Sequence, residues 1–214
     1  MKKIDVFAAV NGSLFLVLCV FRYHARFIEY RGAEHIEEFF VYAGVIIAGI
    51  LLLWRLFRHY EFDGTVLLLV QMGIVLHFAG AFVQLDGHRL YDVYLLGLRY
   101  DKYVHFANAF AASILIARLF QIQHIALTPI NSVFVLLVVL GLGAVVEIVE
   151  YFVVLTVAHQ GVGDYHNNLQ DLVANLVGAS AHLLVRQGLA ARTHRGARRL
   201  AAAAAALPVR PRNP

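Results

Sequence analysis

Residues 99–110 read RYDKYVHFANAF. Asp101 and His105 stand four apart and Asn108 follows three later, so all three fall on one side of a helix. The residues around them are apolar enough to read as part of a membrane span. A carboxylate, an imidazole and an amide on one stripe of such a helix need partners on neighbouring helices, and the rest of the chain supplies candidates.

The chain has 214 residues, of which 60% are hydrophobic and 15% charged. A soluble domain carries about a quarter charged residues. The apolar residues also gather into long runs. An all-α, polytopic membrane bundle follows, because a run of roughly 20 apolar residues crosses a hydrocarbon core of about 30 Å. Six runs qualify or nearly so, near 4–22, 39–57, 65–85, 103–120, 131–158 and 168–186. They form a six-span domain over 1–186. The basic, Ala-rich and Pro-containing residues 187–214 are expected as a flexible tail, either solvated or resting on anionic head groups. The first run follows MKK but leads into FRYHARF rather than a small-residue cleavage site, so it reads as a retained span. The connection after it, residues 21–40, is expected at the interface. Cys19 is the one cysteine and lies within an apolar run, which excludes an internal disulfide.

With the N-terminus inside, the inner segments hold Lys2, Lys3, Arg55, Arg58, Arg118 and the seven arginines from Arg186 onward. The outer loops hold half as many cations: Arg22, Arg26, Arg31, Arg89, Arg99 and Lys102. The bias expects both termini on the cytoplasmic side. No internal repeat stands out.

Four of the runs carry polar stripes. The third has Gly73, His77, Gly80 and Gln84. The fourth has Asp101, His105, Asn108 and Ala112. The fifth has Gly143, Glu147 and Glu150, and the sixth has Asp171, Asn175, Gly178 and His182. In the expected topology His77, both glutamates, Asp101, His105 and Asp171 share the outer half of the bilayer, and Asp164 and His166 join them from the last outer loop. A charged side chain at the centre of a span costs roughly 2.5–3.5 kcal/mol. Glu147 and Glu150 therefore need a proton, a cationic partner or a metal ion. No Lys or Arg is expected at their depth, which leaves histidine, a bound cation or neutral carboxyls. The mixed nitrogen and oxygen set suits Zn, Mn or Fe. The expected metal ligands are His77, Asp101, His105 and Asp171. Glu147 and Glu150 are the expected general acid or base. Asn108, Asp164 and Asn175 are expected to support the site, and His182 to pack separately.

RYDKYVHFANAF, GAVVEIVEYF and DYHNNLQDLVANLVGA together resemble the signature of the bacterial YjdF-type inner-membrane proteins, and more distantly that of the VanZ-like proteins. The VanZ-like pattern is an Asp-Lys-x-x-His-Phe element, a downstream Glu and an Asp-x-x-x-Asn-x-x-Gly element. These fall on Asp101, Lys102, His105 and Phe106, on Glu147, and on Asp171, Asn175 and Gly178. Glu150 and an Arg-free loop depart from it and favour the YjdF-type branch. The resemblance implies a multi-pass protein of the bacterial inner membrane with an envelope role. Three functions remain open. One is a metal-dependent hydrolase or transferase, or a binder, for an envelope or lipid-linked substrate. The second is a proton- or cation-coupled carrier, as a homodimer. The third is an assembly protein whose polar core only specifies packing. No nucleotide loop, redox motif or nucleic-acid signature is present.

Overall fold

The computed structural model describes residues 2–156 and 164–205. Its helices are α1 (Lys3–Leu18), α2 (His24–Arg31), α3 (Ile36–Phe57), α4 (Gly64–Phe82), α5 (Tyr100–Ile122), α6 (Pro129–Thr156) and α7 (Tyr165–Ala205). An all-helical membrane architecture is what the hydropathy pattern demands. Five stretches are long and apolar enough to cross a bilayer: Lys3–Glu29, Ala33–Phe57, Gly64–Phe82, Tyr100–Ile122 and Pro129–Phe152. The first half of α7 is more polar than these and packs most extensively against α5. Its polar residues Asn167, Asp171 and Asn175 are buried, while Leu169, Val173, Leu176 and Val177 stay exposed.

The first helical rod is longer than the expected 4–22. No Gly or Pro follows Gly12 until Gly32, so the chain stays helical through a π turn at Cys19–Tyr23 and on through α2. The connection expected at the interface is thus mostly helix. α7 likewise continues past the expected boundary at 186, and its 41 residues make a rod of about 60 Å. Residues 157–158 of the expected fifth span, residues 159–163 of the following loop and residues 206–214 of the tail lie outside the described residues.

α1 and α3 pack through Phe15, Cys19 and Phe39, and α3 is otherwise covered with exposed apolar side chains such as Val45, Leu52 and Leu53. α1 docks on α4 through a reciprocal amide pair. Asn11 Nδ2 donates to Gln71 Oε1 at 2.8 Å, and Gln71 Nε2 donates to Asn11 Oδ1 at 3.2 Å. Each amide satisfies the other where no water is available. α5 is the central helix and packs on α4, α6 and α7, whereas α4 and α6 share no substantial packing. The α5–α7 crossing depends on Gly178: a Cβ there would collide with the backbone carbonyl of Phe106.

Between α4 and α5 the chain makes two hairpins, β1 (Gln84–Leu85) with β2 (His88–Arg89) and β3 (Tyr94–Leu95) with β4 (Leu98–Arg99). The turns are Asp86-Gly87 and Leu96-Gly97, all four residues at positive φ, as two-residue hairpins require. The hairpins are tandem copies. Residues 83–89 (VQLDGHR) and 93–99 (VYLLGLR) share Val, Leu, Gly and Arg at a ten-residue offset. Leu90 N donates to Val83 O and Tyr100 N to Val93 O, both at 2.9 Å. An internal repeat is therefore present where none was expected.

Candidate functional site

The hairpins, the start of α5 and the start of α7 meet at one end of the bundle. Each hairpin delivers one arginine, Arg89 and Arg99, to a shared carboxylate. Arg89 Nε donates to Asp92 Oδ2 at 2.8 Å and Arg99 Nη2 to Asp92 Oδ1 at 3.1 Å. Arg99 also reaches Asn167 Oδ1 at 2.8 Å and lies 3.8 Å from Asp101. Below them opens a cavity of about 490 Å³ whose walls come from α4, α5, α6 and α7. Its rim is basic, its sides are polar, and Ala109, Ala112, Val139, Leu142 and Val146 make its apolar wall.

Asp171 on α7 is the most enclosed charged group, 1% exposed. Lys102 Nζ donates to Asp171 Oδ1 at 2.7 Å and Asn167 Nδ2 donates to Oδ2 at 2.8 Å. His105 Nε2 lies 3.4 Å from the same Oδ1. Lys102 is itself 6% exposed. Its ammonium donates further to Asn167 Oδ1 at 2.8 Å, to the Asn167 carbonyl at 3.1 Å and to Asp101 Oδ2 at 3.3 Å. From α6, Glu147 completes a group with His105 and Asp171 whose ligand atoms all lie within 4.8 Å of one another. Both oxygens of Glu147 are buried without a hydrogen-bond partner among the described residues, and so is Oδ1 of Asp101.

The geometry is that of a polar pocket walled into a membrane bundle, and the comparison with protein families agrees on the class of protein. The family model described as "Predicted membrane protein (DUF2238)" matches residues 10–192. The chain belongs to this family. No curated protein and no solved structure matches it. As a multi-pass DUF2238 member it contacts the lipid bilayer along its apolar helices.

In this DUF2238 member the expected site residues divide into three groups. His105, Asp171 and Glu147 converge. His77, Asp101 and Glu150 line the cavity together with His105 and Asp171, outside that triad. The His77 ring faces the Tyr91 ring at 5.6 Å, its Nδ1 against the tyrosine hydroxyl. Tyr91 fits there because Gly80 has no Cβ, which would sit 2.8 Å from the tyrosine ring. Asp101 turns toward Lys102 and Arg99. Asn108 and Asn175 line the cavity and fill notches left by Gly73 on α4 and Gly143 on α6. Asp164 lies apart and caps α7, its Oδ1 accepting from Asn167 N at 2.9 Å. His166 contacts Gln170. His182 lies deeper, 2.8 Å from Ser113 Oγ and edge-on to Phe110.

The expectation that no Lys or Arg reaches the depth of the acids is corrected by Lys102. Assigned by position to an outer loop, it folds inward and is the countercharge of Asp171 and Asp101. Nor does the sequence reading give a site role to Arg89, Arg99, Tyr91 or Asn167, which line the cavity. The ten-residue Val-x-Leu-x-Gly-x-Arg spacing is the signal that singles out the two arginines.

Proposed function

We propose that the cavity is a divalent-metal centre in an inner-membrane protein, open toward the outer face and acting on an envelope or lipid-linked substrate. The observation that carries this reading is Glu147: a carboxylate 7% exposed, with neither oxygen partnered, lying beside His105 and Asp171. The charge around the cavity points the same way. Three cations, Arg89, Arg99 and Lys102, face five carboxylates, Asp92, Asp101, Glu147, Glu150 and Asp171. Fully ionised, the set has two negative charges in excess, the charge of one divalent ion. Two protons would cancel it too, but a protonated Glu147 would bring a buried hydroxyl donor that needs an acceptor of its own.

One imidazole and two carboxylates suit Zn, Mn or Fe. Such an ion polarises a phosphoryl or carbonyl oxygen or activates water. Lys102 and Asn167 orient Asp171 through its two oxygens, the role of outer-shell partners in metal sites. Glu150 lines the cavity from the next turn of α6, placed to accept or return a proton. Transport is less well supported, because Ala109 and Val139 of the cavity wall pack with Ala179 into an apolar cluster, and the polar groups named deeper in the bundle are the Ser113–His182 pair. The likeness to YjdF-type and VanZ-like proteins, and cytoplasmic termini, belong to this same reading.

Elemental analysis of detergent-purified protein tests it. Wild type should carry close to one Zn, Mn or Fe per chain, and His105→Ala should lose it. Metal-free wild type that is folded and active would overturn the assignment.

A further inference from the structure

The two hairpins share one backbone plan and carry opposite chemistry. Residues 84–89 (QLDGHR) and 94–99 (YLLGLR) agree at Leu, Gly and Arg. Gln84, Asp86 and His88 of the first copy correspond to Tyr94, Leu96 and Leu98 of the second, three polar residues against three apolar or aromatic ones. Strand register and turn geometry match, and residues 84–88 and 94–98 are all exposed. Burial inside the protein therefore does not account for the difference. What surrounds each tip from outside does.

Leu96 makes the case most sharply. It is 98% exposed and holds φ at 49°, a left-handed conformation that Asp adopts more readily than Leu. Asp86 occupies the same place in the first copy, at φ 51°. In water, leucine there is unfavourable both for the backbone and for its own hydration. Tyr94, Leu95 and Leu98 are exposed around it, so the whole tip is apolar. A contiguous exposed patch of this kind marks contact with a membrane or with another protein.

Its attachment favours the membrane. The Leu95 carbonyl accepts from the Tyr103 hydroxyl at 2.7 Å, which ties the hairpin to the start of α5. Tyr103 stands three residues before Phe106, so the two share a face of that helix. Phe106 is exposed and lines an apolar groove between α4 and α5 with Leu69, Met72 and Leu76. Both helices are long and apolar enough to span the bilayer, and the hairpin continues their lipid-facing surface. Its depth is limited, because open strand edges need water or head groups as hydrogen-bond partners. Tyrosine also favours the boundary between water and hydrocarbon.

We infer that the second hairpin is an interfacial anchor: Tyr94–Leu98 inserts among the lipid head groups of the adjacent leaflet, with Leu96 and Leu98 reaching the upper acyl chains, while the first hairpin stays in water. The anchored strand ends in Arg99, which lines the cavity, so the anchor holds one side of the cavity mouth at the membrane surface. This goes beyond the metal reading and does not depend on it.

Tryptophan fluorescence of the full chain in phosphatidylcholine nanodiscs tests the anchor. Leu96→Trp and Asp86→Trp put one reporter on equivalent turns, and Trp54, the single native tryptophan, is a background common to both. The lipid is either plain or brominated near the top of its acyl chains, and iodide is the quencher in water. Emission added by Leu96→Trp should be shifted to the blue, quenched by the brominated lipid and spared by iodide. Emission added by Asp86→Trp should be quenched by iodide and spared by the brominated lipid. Tyr94→Trp against Gln84→Trp repeats the comparison with one exposed ring replacing another, so the outcome does not hang on the fold of a single variant. Iodide quenching at 94 and 96 as strong as at 84 and 86 would put the second tip in water and overturn the inference. Protection of 94 and 96 from both quenchers would mean that a protein partner or a second copy covers the tip, and would overturn it as well.

Discussion

Replacing Lys102 with Met should destabilise the protein more than almost any other single substitution. The side chain is 6% exposed and its ammonium makes four polar contacts between 2.7 and 3.3 Å, two of them to the carboxylates of Asp171 and Asp101. Met fills much the same volume and removes the charge. Asp171, 1% exposed, would then lose its close cation and keep only the amide of Asn167 and the ring of His105. Breaking a buried pair from one side costs about 3–5 kcal/mol, because the remaining charge is left uncompensated. For a chain of this length each kcal/mol moves the melting temperature by about 2–4 °C, so the loss should be on the order of 10 °C. The assay is a thermal melt in detergent, followed by circular dichroism. The decisive comparison is Lys102→Met/Asp171→Asn, which discards both charges and should recover a large part of the loss. A single variant that melts with wild type, or a double variant that shows the plain sum of the two singles, would refute the claim that Lys102 is the countercharge of Asp171.

Three further outcomes are expected. Gly178→Ala should cost about 1–3 kcal/mol by forcing α5 and α7 apart, whereas Gly44→Ala, with nothing within 4 Å of the added carbon, should be tolerated; melts of the two variants compare them directly. Adding a chelator should destabilise wild type by about 2.7 kcal/mol if metal had been present at 100 times its dissociation constant, read as a lower melting temperature; Glu147→Gln should show no such shift, and a wild type indifferent to chelator would contradict the metal centre. Burial, with the Glu150 carboxylate nearby, raises the Tyr91 hydroxyl above its ordinary value of 10.0. The unfolded chain therefore ionises first, so stability should fall as pH rises beyond 10 and fall less steeply in Tyr91→Phe, as alkaline melts would show.

Hydropathy located the helices well because a bilayer leaves the backbone few options. The polar stripes of α5, α6 and α7 were legible for the same reason: in an apolar run each ionisable residue stands out, and helical spacing gives it one direction. Lys102 was not legible. It stands 100° around α5 from Asp101 and at the edge of the span, where a lysine normally reaches for water. Only the packing of α5 on α4, α6 and α7 together turns that second face inward as well. The hairpins were hidden by a related effect. Asp86-Gly87 is a strong turn signal, but the strands it joins are two residues each, too short for alternation to register, and Val83, Gln84 and Leu85 read as the end of an apolar helix. Glu147 and Glu150 could not be separated by spacing, since both lie on one face of α6. The structure distinguishes them by partners: Glu147 meets His105 and Asp171, and Glu150 faces the open cavity.

Residues 1–60 carry no polar stripe of the kind seen in the later spans, and the structure gives a physical cause. α3 offers lipid mostly exposed aliphatic side chains, and almost any apolar residue would serve there. α1 needs specific chemistry mainly at the Asn11–Gln71 pair and at Asp5, whose carboxylate accepts from Trp54 Nε1 at 2.9 Å. Specific polar chemistry is therefore concentrated in the four C-terminal helices, where Asn108, Asp171 and Asn175 each meet a neighbouring helix. A buried carboxylate without a partner is expensive in such a place, and the bundle satisfies Asp171 fully while leaving Glu147 bare. A core built only to specify packing would gain by replacing Glu147 with glutamine or leucine. Its presence beside an imidazole and a second carboxylate makes sense if something positively charged is meant to arrive there.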